Sequence, residues 1–126
     1  MERVRFFDHD GHRILLLDCT ACGPDELSEV FEQAQTAIAA EPPHSALTLA
    51  DFTGAQFNKK AADHMKVTAA YNRSHVKRSA IVGVEDLPDV YYHNLVSFSA
   101  REFPAFKTRE EAMDWLVSEK AERATG

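Results

Sequence analysis

Four consecutive aliphatic residues, Ile14-Leu15-Leu16-Leu17, stand between a tight-turn pair, Asp10-Gly11, and the break Gly23-Pro24. An apolar run without polar alternation reads as a strand buried on both faces, so this segment belongs inside a sheet. Val4 to Asp8, just before the turn, is rich in aromatic and β-branched residues. Asp-Gly tolerates positive φ at both central positions of a hairpin turn. The chain therefore opens with two antiparallel strands, 4–8 and 12–18.

From Gly23 the period changes. Pro24 suits the first position of a helix, and Asp25 and Glu26 suit the positive end of its dipole. Leu27, Val30, Phe31, Ala34 and Ile38 recur at three and four residues and form one apolar stripe. Pro42-Pro43 ends that helix, and Ser45 to Ala50 reads as a third strand before the turn Asp51-Phe-Thr-Gly54. Asn58 caps a second helix with Ala61, Ala62, Met65, Ala69 and Tyr71 inward, closed by Asn72 to Ser74. Ser79 to Val84 is a fourth strand, Pro88 opens a third helix, and Phe103 to Phe106 is a short fifth strand. Thr108 and Glu111 have capping-box spacing. Ala112, Met113, Leu116 and Val117 follow as the inward face of the last helix, with Trp115 along its edge.

The pattern predicts helices over 24–40, 58–73, 88–100 and 108–121. The fold class is α/β, a mostly parallel five-stranded sheet with an N-terminal antiparallel edge strand and four helices. One domain over 1–126 suits a chain of this length, with Leu15, Leu47, Ile81 and Leu116 expected in one core.

Charge narrows the function classes. Fourteen basic against 20 acidic side chains give a net charge of -6, the wrong balance for a phosphate-driven nucleic-acid binder or an anionic membrane surface. No apolar run approaches the roughly 20 residues of a membrane span. The first residues lack the apolar region of a signal peptide, and two cysteines make no disulfide framework. The expected location is the cytoplasm.

The strand and turn Leu47-Thr-Leu-Ala-Asp-Phe-Thr-Gly54, the strand Ser79-Ala-Ile-Val-Gly-Val84 and the closing Phe106-Lys-Thr-Arg-Glu-Glu-Ala-Met-Asp-Trp-Leu116 resemble the SpoIIAA-like group. This group is related to the STAS domains of bacterial anti-sigma-factor antagonists. The resemblance implies a SpoIIAA-like (STAS-like) fold and a regulatory, protein-binding role. In the antagonists a phosphorylatable serine follows the Asp-Leu-Ser-Gly-like turn. Laid on this chain, that position falls at about Ala61, behind Lys59 and Lys60, and alanine has no hydroxyl. The phosphorylation switch is expected to be absent, with Thr53 bonded to its own backbone in the turn.

Cys19-Thr-Ala-Cys22 has the spacing of a redox pair, or of half a zinc site. Both cysteines precede Pro24, however, and that register favours inert thiols in a strand-to-helix connection. Among His9, His12, His44, His64, His75 and His93 there is no His-x-x-x-His, and no serine sits in Gly-x-Ser-x-Gly. No catalytic, cofactor or metal residue is assigned.

The charges are unevenly spread. Gly23 to Phe52 holds six acidic residues and no Lys or Arg, whereas Lys59, Lys60, Lys66, Arg73, Lys77 and Arg78 face only Asp63. Two solvated faces are one reading, and a dipolar surface that orients a partner is the other. The sequence thus reads as a non-catalytic regulatory or protein-binding module. Its alternatives are a carrier of a small apolar or amphipathic, lipid-like ligand, suggested by Tyr91, Tyr92, Phe98, Phe103 and Phe106, and an enzyme of unidentified class. Expected partners are a second copy in a homodimer, another protein, or a small apolar ligand, but not nucleic acid.

Overall fold

The computed structural model describes residues 2–118. Among these, five strands form one sheet in sequence order: β1 (Val4–His9), β2 (His12–Asp18), β3 (Ala46–Asp51), β4 (Val76–Val82) and β5 (Ala105–Phe106). β1 pairs antiparallel with β2, and every other pairing is parallel. The α/β class, the mixed sheet and the four helices are as the sequence indicates. The β1–β2 turn is made by Asp10 at φ 48° and Gly11 at φ 79°, the positive-φ pair that a two-residue hairpin requires.

The helices are α1 (Pro24–Ala39), α2 (Lys59–Tyr71), α3 (Asp89–Ser99) and α4 (Arg109–Leu116). Pro24 is the first residue of α1, as expected, and the Glu26 carboxylate accepts from the Gly23 amide at 3.1 Å. Asn58 caps α2, its side chain accepting from the Ala61 amide at 2.8 Å. Thr108 caps α4 by accepting from the Glu111 amide at 3.1 Å. None of the helices is long and apolar enough to cross a membrane.

Leu15, Leu47, Ile81 and Leu116 do not share one core. Leu15 and Ile81 face α1, α2 and α3, where they meet Leu27, Phe31, Met65 and Leu95. Leu47 and Leu116 lie on the opposite face with Ile14, Leu16, Leu49 and Val82, under α4. The cause is strand alternation: Ile14 stands opposite Leu47 and Leu15 opposite Thr48, so neighbours along β2 serve different layers.

Three boundaries move. β4 begins at Val76 rather than Ser79, because Lys77 and Arg78 continue the extended backbone. β5 is only Ala105–Phe106. α4 ends at Leu116, and the expected helical residues 119–121 lie outside the described residues. Tyr71 is not inward: it is 62% exposed, and Thr68 and Asn72 point inward in its place. The helix continues its 3.6-residue period from Met65 and Ala69, and that carries position 71 past the buried stripe.

Candidate functional site

Two polar regions lie at opposite ends of the parallel strands. At the C-terminal ends, where open α/β sheets usually bind ligands, β2 and β3 deliver Asp18 and Asp51. Arg109, at the start of α4, donates from Nε to Asp51 at 2.6 Å and from Nη2 to Asp18 at 3.4 Å. Thr20 and Thr53 close the knot, their hydroxyls donating to Asp18 at 2.6 Å and to Asp51 at 2.7 Å. Thr53 therefore bonds the Asp51 carboxylate and not its own backbone, because the turn brings its hydroxyl and its amide to the same oxygen. Ala61 is buried in the first turn of α2. These carboxylates are committed to an arginine and two threonines, an arrangement that fastens α4 to the sheet.

Burial works to raise the Asp18 carboxyl, but the Thr20 hydroxyl and amide, with Arg109 and Arg3, outweigh it and hold Asp18 below the ordinary carboxylate value. A depressed folded-state pKa contributes stability that is complete above the unfolded value of about 3.9 and is lost as pH falls through the folded one. Asp18→Asn is therefore expected to be less stable than the native chain at pH 5–7. That gap should shrink steadily below about pH 4, as measured by urea unfolding across a pH series.

Cys19 and Cys22 are both fully buried, and burial pushes both thiols above their usual pKa, Cys19 by far the more. A thiolate is the reactive form. A thiol reagent such as Ellman's reagent should leave both cysteines untouched in the native protein and label two in denaturant. Rapid labelling of the native protein would reopen the redox reading. Among the described residues, the trio with ligand atoms close enough to share a metal ion is His9, Asp10 and Asp114. His9 Nε2 lies 2.9 Å from the Asp114 carboxylate, a contact that ties α4 to the β1–β2 turn.

The basic segment is not one face. Lys59 and Lys66 both pair with Asp63, at 2.6 and 3.6 Å. Arg78 turns under the sheet on the α4 side, where its Nη1 donates to the Ser118 carbonyl at 3.2 Å. The aromatic group is split in the same way. Phe103 is buried on the helical side, Phe106 stacks against Trp115 on the other with ring centres 5.6 Å apart, and Phe98 is 54% exposed.

At the start of β4 the structure assembles what the sequence did not announce. Arg73, Lys77, Arg78 and Arg101 line an open groove of about 530 Å³ with Ser79, Tyr71 and Trp115, and Glu102 is its one carboxylate. Arg101 forms its inner wall. Its Nη1 donates to the Ala69 carbonyl at 3.0 Å, its Nη2 donates to the Ser79 hydroxyl, and its guanidinium carbon lies 4.6 Å from the Phe103 ring centre. Burial draws the Arg101 pKa down to about 10, so it remains a cation at neutral pH. The Arg78 Nε is buried with no hydrogen-bond partner among the described residues.

Behind that wall, on the helical side, lies a cavity of about 60 Å³ among Phe31, Met65, Leu95, Thr48, Ser79 and Asn72. The Thr48 and Ser79 hydroxyls bond each other at 2.5 Å. Asn72 is fully buried, and neither its amide nitrogen nor its oxygen has a partner among the described residues. At about 30 Å³ per water molecule, the space suits roughly two of them.

The sequence could not reveal the groove because Arg101 joins Ser79 across 22 positions, and no local spacing encodes that contact. A scan against protein-family models matches none, and searches of curated proteins and of solved structures find no match either.

Proposed function

We propose that this chain is a non-catalytic binding module of SpoIIAA-like type, which holds an acidic surface of a partner protein in the cationic groove beside β4. The observation that carries the reading is a local charge balance opposite to the global one. Four cationic side chains and one carboxylate line the groove, in a chain whose net charge is -6. Such a patch orients and selects an acidic partner more than it adds raw affinity, and Tyr71 and Trp115 supply the aromatic contact typical of protein interfaces. The Ala61 position implies constitutive binding, without the phosphate switch of the antagonists.

Catalysis is poorly supplied by the groups at hand. The two thiols are buried, and the paired carboxylates Asp18 and Asp51 are already bonded. An apolar carrier finds little room, since about 60 Å³ is well below the roughly 150 Å³ that accepts a benzene molecule.

Trp115 is the sole tryptophan and lines the groove, so its emission reports occupancy. Titration with polyglutamate at low salt should give a saturable change that weakens at high salt, and polylysine should give none. An equal response to both polymers, or to neither, would contradict the reading.

A further inference from the structure

The groove runs along backbone as well as side chains. β5 meets β4 only at Ile81 and Val82, preceded by the Ile81 amide donating to the Pro104 carbonyl at 2.9 Å. From Val76 to Ala80, β4 has β3 on one side and no strand among the described residues on the other. Peptide groups alternate along a strand. The Ile81 amide points towards β5, whereas the Val82 carbonyl accepts from Phe52 on the β3 side. The backbone of Ser79, two residues before Ile81, therefore faces the groove. Its far wall is the segment Arg101 to Pro104, and the space between is about 530 Å³.

We propose that the open edge of β4, Val76 to Ala80, accepts an extended acidic segment of another protein as an added strand. Resting on the function proposed above, this specifies how the partner is held. Five residues of edge span about 16 Å at roughly 3.3 Å each. A strand laid there alternates its side chains between two cationic walls, Arg78 beside Trp115 on the α4 side and Arg101 on the helical side. Main-chain bonds give such strand addition its affinity, and alternate side chains give it specificity. Charged edges also discourage unselective strand pairing, so the same cations exclude neutral or basic strands while admitting an acidic one.

The test uses a blocked ten-residue peptide of alternating Glu and Val, and the same peptide N-methylated at every second residue in either register. Both are followed by Trp115 emission and by amide hydrogen exchange of the full chain. The unmodified peptide should slow exchange at Ser79 at least tenfold, and N-methylation in one register should weaken binding at least tenfold. Salt-sensitive binding without protection at Ser79, and equal for all the peptides, would overturn strand addition while leaving the groove as a side-chain docking site. No binding of this peptide where polyglutamate binds would likewise overturn only strand addition, and failure of both ligands would overturn the groove as well. Protection at Ser79 that grows with protein concentration in the absence of peptide would assign the edge to a second copy and overturn the proposal.

Discussion

Gly83→Ala is expected to lower folding stability by about 4 kcal/mol, visible as a large fall in the urea midpoint with little change in slope. Gly83 follows β4 directly and sits at φ 78°, left-handed backbone that costs an L-residue roughly 1–3 kcal/mol. A Cβ there would lie 2.4 Å from the Thr53 amide nitrogen and 2.9 Å from the Phe52 carbonyl carbon. These are backbone atoms held by the β3–β4 ladder, and Phe52 N itself donates to the Val82 carbonyl at 2.8 Å. They cannot give way as the tip of a side chain would, so overpacking of roughly 1–3 kcal/mol adds to the strain. Gly11→Ala is the control. Its φ is 79°, but nothing lies within 4 Å of the added carbon, so only the strain term applies, about 1–2 kcal/mol. Equal losses at the two glycines would contradict the close approach of β4 to the Asp51–Gly54 turn.

The other large effect is at Phe31, 2% exposed in the middle of α1, with the Phe52 and His64 rings edge-on at 6.4 and 6.1 Å. Phe31→Ala removes a fully buried ring beside an existing cavity of about 60 Å³. Merging the two voids should put the loss near the upper end of the 3–5 kcal/mol usual for such truncations. Phe98→Ala should cost less than about 1 kcal/mol. That ring is 54% exposed, and its one close polar neighbour is the Lys66 ammonium at 5.1 Å from the ring centre. Chemical denaturation of the two variants side by side measures how unequally the aromatic residues serve the core.

That inequality shows what the sequence could and could not convey. Elements defined by local chemistry were legible: the Asp10-Gly11 hairpin, the Pro24 start and apolar stripe of α1, and the Asn58 and Thr108 caps all stand where pattern placed them. Each depends on residues within about four positions of one another. What needed the third dimension was not legible. A single core was expected where strand alternation makes two, because hydrophobicity marks a residue as buried without saying on which face. Lys77 and Arg78 hid the first half of β4, since two cations in a row suggested a solvated helix end. One of them is buried within the sheet all the same. The phenylalanines between 98 and 106 looked like one cluster, yet a helix end and a short strand send them to three different surroundings. The groove is the clearest instance. Its cations come from the turn after α2, from β4 and from the loop after α3, and only the fold brings them together.

The proposed partner site therefore stands or falls on the charge of that assembled groove, and Arg73 is the residue to reverse. It is exposed, in the 3₁₀ turn Arg73–His75 rather than in a strand or α-helix, so its replacement leaves the fold in place. The decisive measurement is calorimetric titration of polyglutamate into the native protein and into Arg73→Glu at low salt, with melting temperatures taken alongside. The account predicts an affinity about three- to tenfold weaker for the variant, in keeping with the modest worth of exposed charge pairs, and an unchanged melting temperature. Unaltered affinity at equal stability would contradict it.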